Sequence, residues 1–399
     1  MSLSVRLVSH HDQAPAELWA SGFGPPLEGE WWYRALEASQ LEDQFTFFYA
    51  IIEDDGAPVG LAPMFLTEVP MELVAPEELM PALRVIARFY RPALYQRTLF
   101  VGSPCADEGT IAVVPGADRA EAFLALAKAM PAIARQHRAP MLAWKDLPAD
   151  YRPDMERVIK EAGFFITPSY PGTQVHFSSA DKADYFAGMK GTHRQNLKKR
   201  LRKSAELVSV ETSVVQAPSP EVLAEIYALF NQTYEKATTR FERLEEPFFE
   251  AIAAEAPSHF ILVREKATGD LLAFMLCFVV GEAVINKFIG IDYRRPREWM
   301  LYFRLWDAAV DFALAHGAKL LQSGVTGYRP KLEVGHALVP LDNYARHLNP
   351  LIHFVYAQVG KTLSWASLDK DLAEHVAAGR GAEGARPQKV PQKVEAAKA

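Results

Sequence analysis

The chain has 399 residues, of which 49% are hydrophobic and 23% charged, and its formal net charge is −6 at pH 7. This composition is ordinary for a globular protein, and the length favours two domains, each with its own core. An acidic chain argues against a protein coated with nucleic acid, so any site for a polyanion must be local.

Cysteine content and hydropathy argue against three further classes of protein. Cys105 and Cys277 are too far apart in sequence to form a metal-ligand motif, and two cysteines make no disulfide framework. The first residues lack the apolar core of a signal peptide, and the most apolar run, residues 271–280, is about half of a bilayer span. We therefore expect a cytoplasmic protein without a metal site or a membrane span.

The first half alternates predicted strands and helices. A strand at residues 3–9 precedes two helical stretches, and residues 45–69 form a hairpin around the turn DGAP. A strand at 98–102 ends in the loop SPCADEG. A strong amphipathic helix follows over 117–137, in which Pro131 predicts a kink. The strand MLAWKDL, a helix ending at Gly163 and the strand FFITPS complete a mixed sheet with helices on its faces.

The second half repeats this order. A short strand at 175–177 and a helical region at 179–207 come first, followed by a strand at 206–215 and amphipathic helices at 220–236 and 247–256. The stretch 260–292 contains three strands, and a helix ending at Gly317 leads to the strand AKLLQSG. We predict two domains, residues 1–170 and 171–366, and a disordered tail at 380–399 that is poor in large apolar residues.

A cationic segment opens the second half. Between Lys190 and Lys203 it contains seven Lys or Arg residues, one His and no acid. TxxQ at Thr192–Gln195 fits a capping box, so we expect a helix to start near Thr192. Leu197, Leu201 and Ala205 would then form its narrow apolar stripe. Two interpretations remain open: a positive wall beside a cleft, or a solvated face without a ligand.

Two stretches carry a resemblance to known families. These are YFAGMKGTHRQNLKKRLRK and GVTGYRPKLEVGHALVP, in which Tyr328, Lys331 and Gly335 match a Y..K...G cluster. With the duplicated element order, the chain resembles two GNAT acyltransferase folds in tandem, an α/β (α+β) architecture, and its second half resembles the FemAB-like and CelD/BioF2-like families. The match covers residues 170–365 well, and the first domain only by element order, as a degenerate GNAT-like unit.

The resemblance implies transfer of an acyl or aminoacyl group to an amine, often in making cell-envelope or exopolysaccharide components. It implies no tightly bound cofactor, with acyl-CoA (acetyl-CoA) as co-substrate and a small-molecule amine or envelope precursor as acceptor. Two alternatives stay open: a transferase using aminoacyl-tRNA, and a non-catalytic scaffold that binds RNA. The sequence does not identify the acceptor, the acyl length or the oligomeric state.

The resemblance and the positions of polar residues give the candidate site. Its predicted catalytic residues are Lys331, as an oxyanion or anion binder, Tyr328, as a proton donor, and Asp292, as a base. Three arginines after the central strand would hold CoA phosphates: Arg294, Arg295 and Arg297. Four further residues would bind substrate: Arg194, Lys198, Asp107 and Glu108. For each of these residues the alternative is a side chain that is only solvated or packed and has no role in the reaction. GIDYRRPREWM lacks the glycines with which GNAT enzymes grip pyrophosphate, and this departure keeps tRNA open as the donor.

Overall fold

The computed structural model describes residues 3–71, 80–89, 94–237 and 242–378. These residues form two mixed sheets flanked by helices, which confirms the predicted α/β class. The tail predicted at 380–399 lies outside the described residues.

The first sheet and its helices come mainly from the first half of the chain. The two predicted helices and the hairpin are present, and the helix containing Pro131 is continuous. The elements are β1 Leu3–Val8, α1 Ala16–Gly22, α2 Glu30–Ala38, β2 Thr46–Asp54, β3 Ala57–Pro70, α3 Met80–Ile86, β4 Tyr95–Val101, β5 Ala112–Val113, α4 Arg119–Gln136, β6 Met141–Pro148, α5 Arg152–Ala162 and β7 Phe165–Pro168, with 3-10 turns at His11–Gln13 and Ala149–Tyr151.

The second sheet and its helices follow. The elements are β8 Gly172–His176, α6 Lys182–Gly188, α7 Gly191–Leu207, β9 Val210–Val215, α8 Pro220–Lys236, α9 Glu246–Ala253, β10 Ser258–Glu265, β11 Leu271–Val280, β12 Ala283–Ile291, α10 Leu301–Ala315, β13 Leu320–Ser323, α11 Tyr328–Glu333, β14 Ala337–Val339, β15 Leu341–His347, α12 Pro350–Gly360, α13 Trp365–Leu368 and α14 Lys370–Ala377, with a 3-10 turn at Arg297–Trp299.

The two sheets repeat one topology. The first has the order β1-β2-β3-β4-β6-β15-β7, and the second, read from its opposite edge, β9-β10-β11-β12-β13-β8-β14. In each sheet one neighbouring pair is parallel, β4 with β6 and β12 with β13. The repeat in the second half therefore begins at β9, after the basic helix, and not at the predicted strand at 175–177.

The two units exchange strands. β8, which follows the last strand of the first unit, lies between β13 and β14 in the second sheet. β15, near the end of the second unit, lies between β6 and β7 in the first sheet. The chain passes from the first sheet to the second between Pro168 and Gly172, and Leu341–His347, within the predicted second domain, lies in the first sheet. Neither sheet is complete without the other half of the chain.

A shared hydrophobic core fixes the units against each other. One cluster combines side chains from both, among them Trp19, Trp32 and Phe65 from the first and Phe248 and Phe274 from the second. α2 packs on α9, and the guanidinium of Arg34 pairs with Glu255 at 2.7 Å across the same boundary. Two further clusters cover the outer face of each sheet. Burial of this much apolar surface makes the two units one folded body.

The basic helix differs from its predicted form at two points. α7 begins at Gly191 with Lys190 as its N-cap, and no side chain caps it, so the predicted capping box at Thr192 is wrong. Its buried face is made by Leu197 and Ser204, whereas Ala205 is exposed. Ser204 is buried because its hydroxyl donates to the carbonyl of Trp299 at 2.6 Å and accepts from Arg304 at 2.8 Å.

Candidate functional site

The second sheet opens where β12 and β13 separate. These parallel strands pair from Ala283 with Leu320 to Asn286 with Ser323, after which β13 ends and β12 continues to Ile291. On its other side β12 shifts register against β11, so that Lys287 has no partner opposite it. Such a bulge re-aims a side chain, and here it turns Lys287 into the gap between the strands.

Lys287 is a buried cation held by acids of the first unit. Its Nζ atom lies 2.6 Å from Oε1 of Glu28 and 3.3 Å from Oδ2 of Asp107, and its side chain is 2% exposed. The ammonium also lies 4.9 Å from the ring of Trp32. Burial alone would lower the pKa of Lys287, but Asp107 and Glu28 outweigh burial and raise it. Lys287 therefore stays charged throughout the physiological pH range.

Asp107 and Glu108 reach the gap on the loop after β4. In the first sheet β4 and β6 separate beyond the pair Val101 and Trp144, as β12 and β13 do in the second. The loop fills that first gap: the N–H of Gly109 donates to the carbonyl of Asp146 at 2.8 Å, and a Cβ on Gly109 would lie 2.0 Å from the carbonyl oxygen of Lys145. The first unit thus closes its own gap and directs two acids at the gap of the second.

Asp107 fills the floor of the second gap. Its Oδ1 atom lies 2.6 Å from the position that a Cβ on Gly324 would take, so a side chain directly after β13 would displace this carboxylate. The pKa of Asp107 is raised, mainly by burial and also by the negative charge of Glu28. The positive charges of Lys287 and Lys331 oppose this rise. Asp107, Glu28 and Lys287 together form a buried ionic layer at the gap.

Glu108 lies above this layer and is half-buried. Its Oε1 accepts a hydrogen bond from Nε2 of Gln322 at 3.3 Å, which links the loop to the end of β13. Burial, with the negative charges of Asp107 and Glu28 adding to it, raises the pKa of Glu108 to about 7. A carboxylate with this pKa is suited to accept a proton near neutral pH.

Lys331 on α11 completes the set from the second unit. Its Nζ atom donates to the carbonyl of Gly324 at 2.7 Å and makes longer contacts, 3.3 and 3.4 Å, with the carbonyls of Val325 and Ser323. Burial lowers the pKa of Lys331 to about 8, although Asp107 opposes the shift. We call the five residues Glu28, Asp107, Glu108, Lys287 and Lys331 the charge cluster.

A neutral imidazole lies near Lys331. His336 is buried, and its ring centroid is 4.4 Å from that of Trp306. Burial and the charge of Lys331 lower its pKa well below the usual value. Within the described residues neither ring nitrogen makes a hydrogen bond of ordinary length and angle. The backbone of Thr173 nevertheless interacts with the ring and opposes the fall in its pKa, so His336 is a buried neutral group packed near the site.

Tyr328 does not have the predicted geometry of a proton donor. Its side chain is fully buried, and its hydroxyl donates to the carbonyl of Pro171 at 3.0 Å. Burial raises its pKa above the usual value. The hydroxyl proton is already used within the core, so Tyr328 anchors α11 against the segment between β7 and β8.

Asp292 and the three arginines lie at the far end of β12. Arg294 binds the carboxylate of Asp292 through two nitrogens, at 2.7 and 3.0 Å, and Arg295 pairs with Asp292 and with Asp270. Burial raises the pKa of Asp292, but the hydrogen bonds from Arg294 and Arg295 prevail and lower it. A carboxylate held this way is a poor base, and two of the arginines expected to hold phosphate are neutralised. Arg297 is exposed.

The predicted substrate-binding residues of α7 lie on its surface. Arg194 donates to the carbonyls of Phe186 and Ala187 at 3.3 and 3.4 Å, and the ammonium of Lys198 lies 5.0 Å from the ring of Phe186. Both thus fasten α7 to α6. Arg200 pairs with Glu333 on α11, the helix that carries Lys331. The basic helix is therefore adjacent to the element that supplies Lys331.

Two members of the cluster, Glu28 and Lys287, were not among the residues predicted from sequence. Lys287 had a signal, since it is the single charge within the apolar strand AVINKFIGI, and an unpaired lysine is almost never fully buried. Glu28 lies in the loop before α2 and had none, because its role depends on a lysine 259 positions away.

Two open grooves, each of about 610 Å³, lie away from the cluster. One is lined by residues of β9, β10 and α10, and the other by Arg97, Arg135, Arg138 and their neighbours. Across the described part of the chain, no helix is long and apolar enough to cross a membrane. The same residues contain no group of three or more His, Cys, Asp or Glu side chains that could hold a metal ion.

Comparison with known proteins identifies the relatives of this fold. Residues 15–355 match the model of the FemAB-like family, which is described as acting in peptidoglycan biosynthesis or recognition. None of the curated proteins compared with the chain matches it in sequence.

Several solved structures share the architecture. FemX has a TM-score of 0.56 at 14% identity, with 88% of this chain and 100% of FemX covered. L-PGS from Bacillus licheniformis has a TM-score of 0.51 at 12% identity, with 87% and 96% covered. A tandem GNAT protein from the clavulanic acid biosynthesis pathway has a TM-score of 0.50 at 14% identity, with 87% and 99% covered. These likenesses confirm the tandem GNAT-like fold expected from the sequence.

Proposed function

The chain belongs to the FemAB-like family, and from this premise we propose that it transfers an aminoacyl group to an amine of a peptidoglycan precursor. Family and fold are those of transferases. The observation that carries the proposal is that Glu108 of the first unit and Lys331 of the second are both held at the end of β13, Glu108 by Gln322 and Lys331 by Gly324, and both interact with Asp107. Their pKa values, about 7 and about 8, suit proton transfer near neutral pH.

In the proposed reaction the acceptor amine attacks the carbonyl carbon of the donor ester. A C–N bond forms, and the carboxylate of Glu108 takes the proton that the amine nitrogen loses. The ester C–O bond then breaks, and the leaving oxygen receives a proton from the ammonium of Lys331. Until then the ammonium of Lys331 stabilises the negative charge that develops on the carbonyl oxygen of the donor ester. Two of its three hydrogen bonds to backbone carbonyls are long.

Glu28, Asp107 and Lys287 have a positioning role in this proposal. They form a buried ionic layer directly under Glu108. The negative charges of Asp107 and Glu28 help to keep the pKa of Glu108 high. Gly324 gives Asp107 the space it occupies. The first unit, whose own strand gap is filled, thus contributes the base to a site in the second.

The choice of aminoacyl-tRNA over acyl-CoA rests on charge. Arg294 and Arg295, which would have held CoA phosphates, are paired with Asp292 and Asp270. In the first unit the N-terminus of α4 is capped by Asp118 and has Glu121 in its first turn, and both acids oppose an anion. The basic helix α7 is tied to α11 by the ion pair of Arg200 with Glu333, and its exposed Lys199 and Lys203 fit an RNA backbone.

The test is a transfer assay with two donors and one acceptor. The full chain is incubated with a muramyl peptide that carries a free side-chain amine, and with either a pool of aminoacyl-tRNAs or acetyl-CoA and longer acyl-CoAs. We expect aminoacylated product only with tRNA. The double variant Lys199→Ala, Lys203→Ala should weaken donor binding, with a smaller salt dependence than the unaltered chain has. Lys319→Ala, at an exposed ion pair with Glu282, is the matched control.

Each alternative predicts a different result. Product with acyl-CoA and none with tRNA would replace the donor and leave the site intact. Salt-sensitive tRNA binding without turnover of any acceptor amine would favour a non-catalytic scaffold. Product that is unaffected by Glu108→Gln would remove the charge cluster from the chemistry.

A further inference from the structure

An apolar and cationic surface lies at the end of the β3–β4 hairpin. α3 and the turn after it expose three large apolar side chains, with Val85 58%, Ile86 50% and Phe89 92% exposed. At the end of the first sheet where the segment carrying α3 rejoins it, Arg97, Arg135 and Arg138 line a groove of about 610 Å³. We call these six residues the hairpin-end surface.

Backbone contacts place the two parts of this surface at one end of the first sheet. The N–H of Met71 donates to the carbonyl of Leu94 at 2.7 Å, and Pro70 pairs with Tyr95, so the segment carrying α3 leaves and rejoins the sheet at one point. Tyr95 and Gln96 line the groove together with Arg97. The apolar side chains of α3 and the three arginines therefore lie at the same end of the first sheet.

Positive charge predominates on this surface, although Glu68, opposite Arg97 on β3, also lines the groove. Residues 80–89 contain no acid, and Arg84 and Arg88 are exposed among the apolar side chains. In the described part of the chain none of the guanidinium groups of Arg97, Arg135 and Arg138 has an ion pair or a hydrogen bond, although the chain as a whole is acidic. Unpaired arginines next to exposed apolar side chains are typical of a surface that binds a partner.

We propose that the hairpin-end surface docks on an anionic phospholipid bilayer. Phe89, Ile86 and Val85 would enter the boundary between headgroups and acyl chains, and the arginines would meet lipid phosphates. An RNA backbone would satisfy the arginines but leaves Val85 and Ile86 exposed to water. A symmetric contact with a second copy would bring arginines against arginines, which is repulsive. A bilayer satisfies both chemistries at once.

This orientation sets the distance from bilayer to charge cluster. β4 runs from Tyr95 at the hairpin-end surface to Val101, after which the loop carries Asp107 and Glu108. Its 7 residues span roughly 20 Å. The cluster would thus stand above the membrane surface, outside the bilayer.

The test is co-sedimentation of the full chain with vesicles. Vesicles of phosphatidylglycerol mixed with phosphatidylcholine should bind the chain, and vesicles of phosphatidylcholine alone should bind it far more weakly, with binding falling as salt rises. Phe89→Glu should reduce binding on the order of tenfold or more. Arg135→Ala and Arg138→Ala should each reduce it about fivefold.

Two matched control variants distinguish binding by this surface from nonspecific binding to vesicles. Val214→Glu changes an apolar side chain that is 47% exposed on β9, and Arg202→Ala removes a largely exposed cation on α7. Both should bind vesicles like the unaltered chain. All altered side chains are exposed, and unchanged thermal unfolding would confirm that each variant is folded.

Three results would overturn the proposal. The first is equal binding to both kinds of vesicle, or to neither. The second is loss of tRNA binding, without loss of vesicle binding, in the Arg135 and Arg138 variants. The third is a dimer in solution that Phe89→Glu dissociates while vesicle binding stays unchanged.

Discussion

The ammonium of Lys287, on a strand of the second sheet, lies 2.6 Å from the carboxylate of Glu28, in a loop of the first unit. Both side chains are almost wholly removed from solvent, and Asp107 of the first unit pairs with the same lysine. The two units are therefore joined by this buried ionic contact as well as by their exchanged strands, and the candidate site forms where the units meet.

Removal of Lys287 tests whether this contact is structural. Lys287→Ala leaves Glu28 and Asp107 buried without their cation, and we expect a loss of about 3 to 5 kcal/mol in the free energy of unfolding. Lys319→Ala, whose ion pair with Glu282 is exposed, should cost at most about 1 kcal/mol. Urea unfolding of both variants at pH 7 gives the comparison. Equal losses would show that the buried pair does not join the units.

A methyl group at Gly324 tests the position of Asp107. A Cβ there would lie 2.6 Å from Oδ1 of Asp107, so Gly324→Ala must displace that carboxylate. We expect transfer to fall by about tenfold to a hundredfold, because a displacement of about 1 Å has effects of this size. Gly188→Ala, where the added Cβ meets open space, is the control. Equal turnover in the two variants would argue against a need for Asp107 in its observed place.

Lys331 is tested against its neighbour on the same helix. Lys331→Ala should lower kcat by about a hundredfold to a thousandfold, with KM little changed, since the ammonium acts on charge that appears during the reaction. Arg329→Ala removes a largely exposed cation that pairs with Glu374 at 3.5 Å, and should leave kcat unchanged. A rise in KM at constant kcat in Lys331→Ala would assign the lysine to substrate binding alone.

Asp292 should contribute to stability and not to chemistry. Its folded pKa is lowered, so its contribution is present above the unfolded value and is lost as pH falls through the folded one. Asp292→Asn should cost about 1 kcal/mol at pH 7, since Arg294 is exposed and screened by solvent. The cost should shrink on acidification, while kcat stays constant. A fall in kcat without a change in unfolding would restore Asp292 as the base.

The order of elements could be predicted from the sequence, whereas the pairing of distant strands could not. Hydrophobic periodicity and turns indicate strands and helices locally, and the two hairpins at 45–69 and 260–280 follow from such signals. The exchange of β8 and β15 depends on long-range pairing. The sequence around Leu341–His347 does not distinguish one sheet edge from another.

The candidate site was predictable in part for the same reason. Asp107, Glu108 and Lys331 stand out as polar residues on loops and helices beside the sheet edge, and in the structure both Glu108 and Lys331 interact with Asp107. Tyr328 and Asp292 stand out equally, but their partners, the carbonyl of Pro171 and the guanidinium of Arg294, satisfy them elsewhere. Sequence shows which side chains can do chemistry, and burial and partners decide which are free to do it.

The most direct test of the account is the pH dependence of single-turnover transfer by the unaltered chain and by Glu108→Gln. The unaltered chain should show a rate that rises through about pH 7, as Glu108 loses its proton, and falls through about pH 8, as Lys331 loses its own. Glu108→Gln should be slower by about a hundredfold or more and should lack the rising limb. A variant with the same rate and the same rising limb as the unaltered chain would contradict the assignment of the charge cluster as the catalytic site.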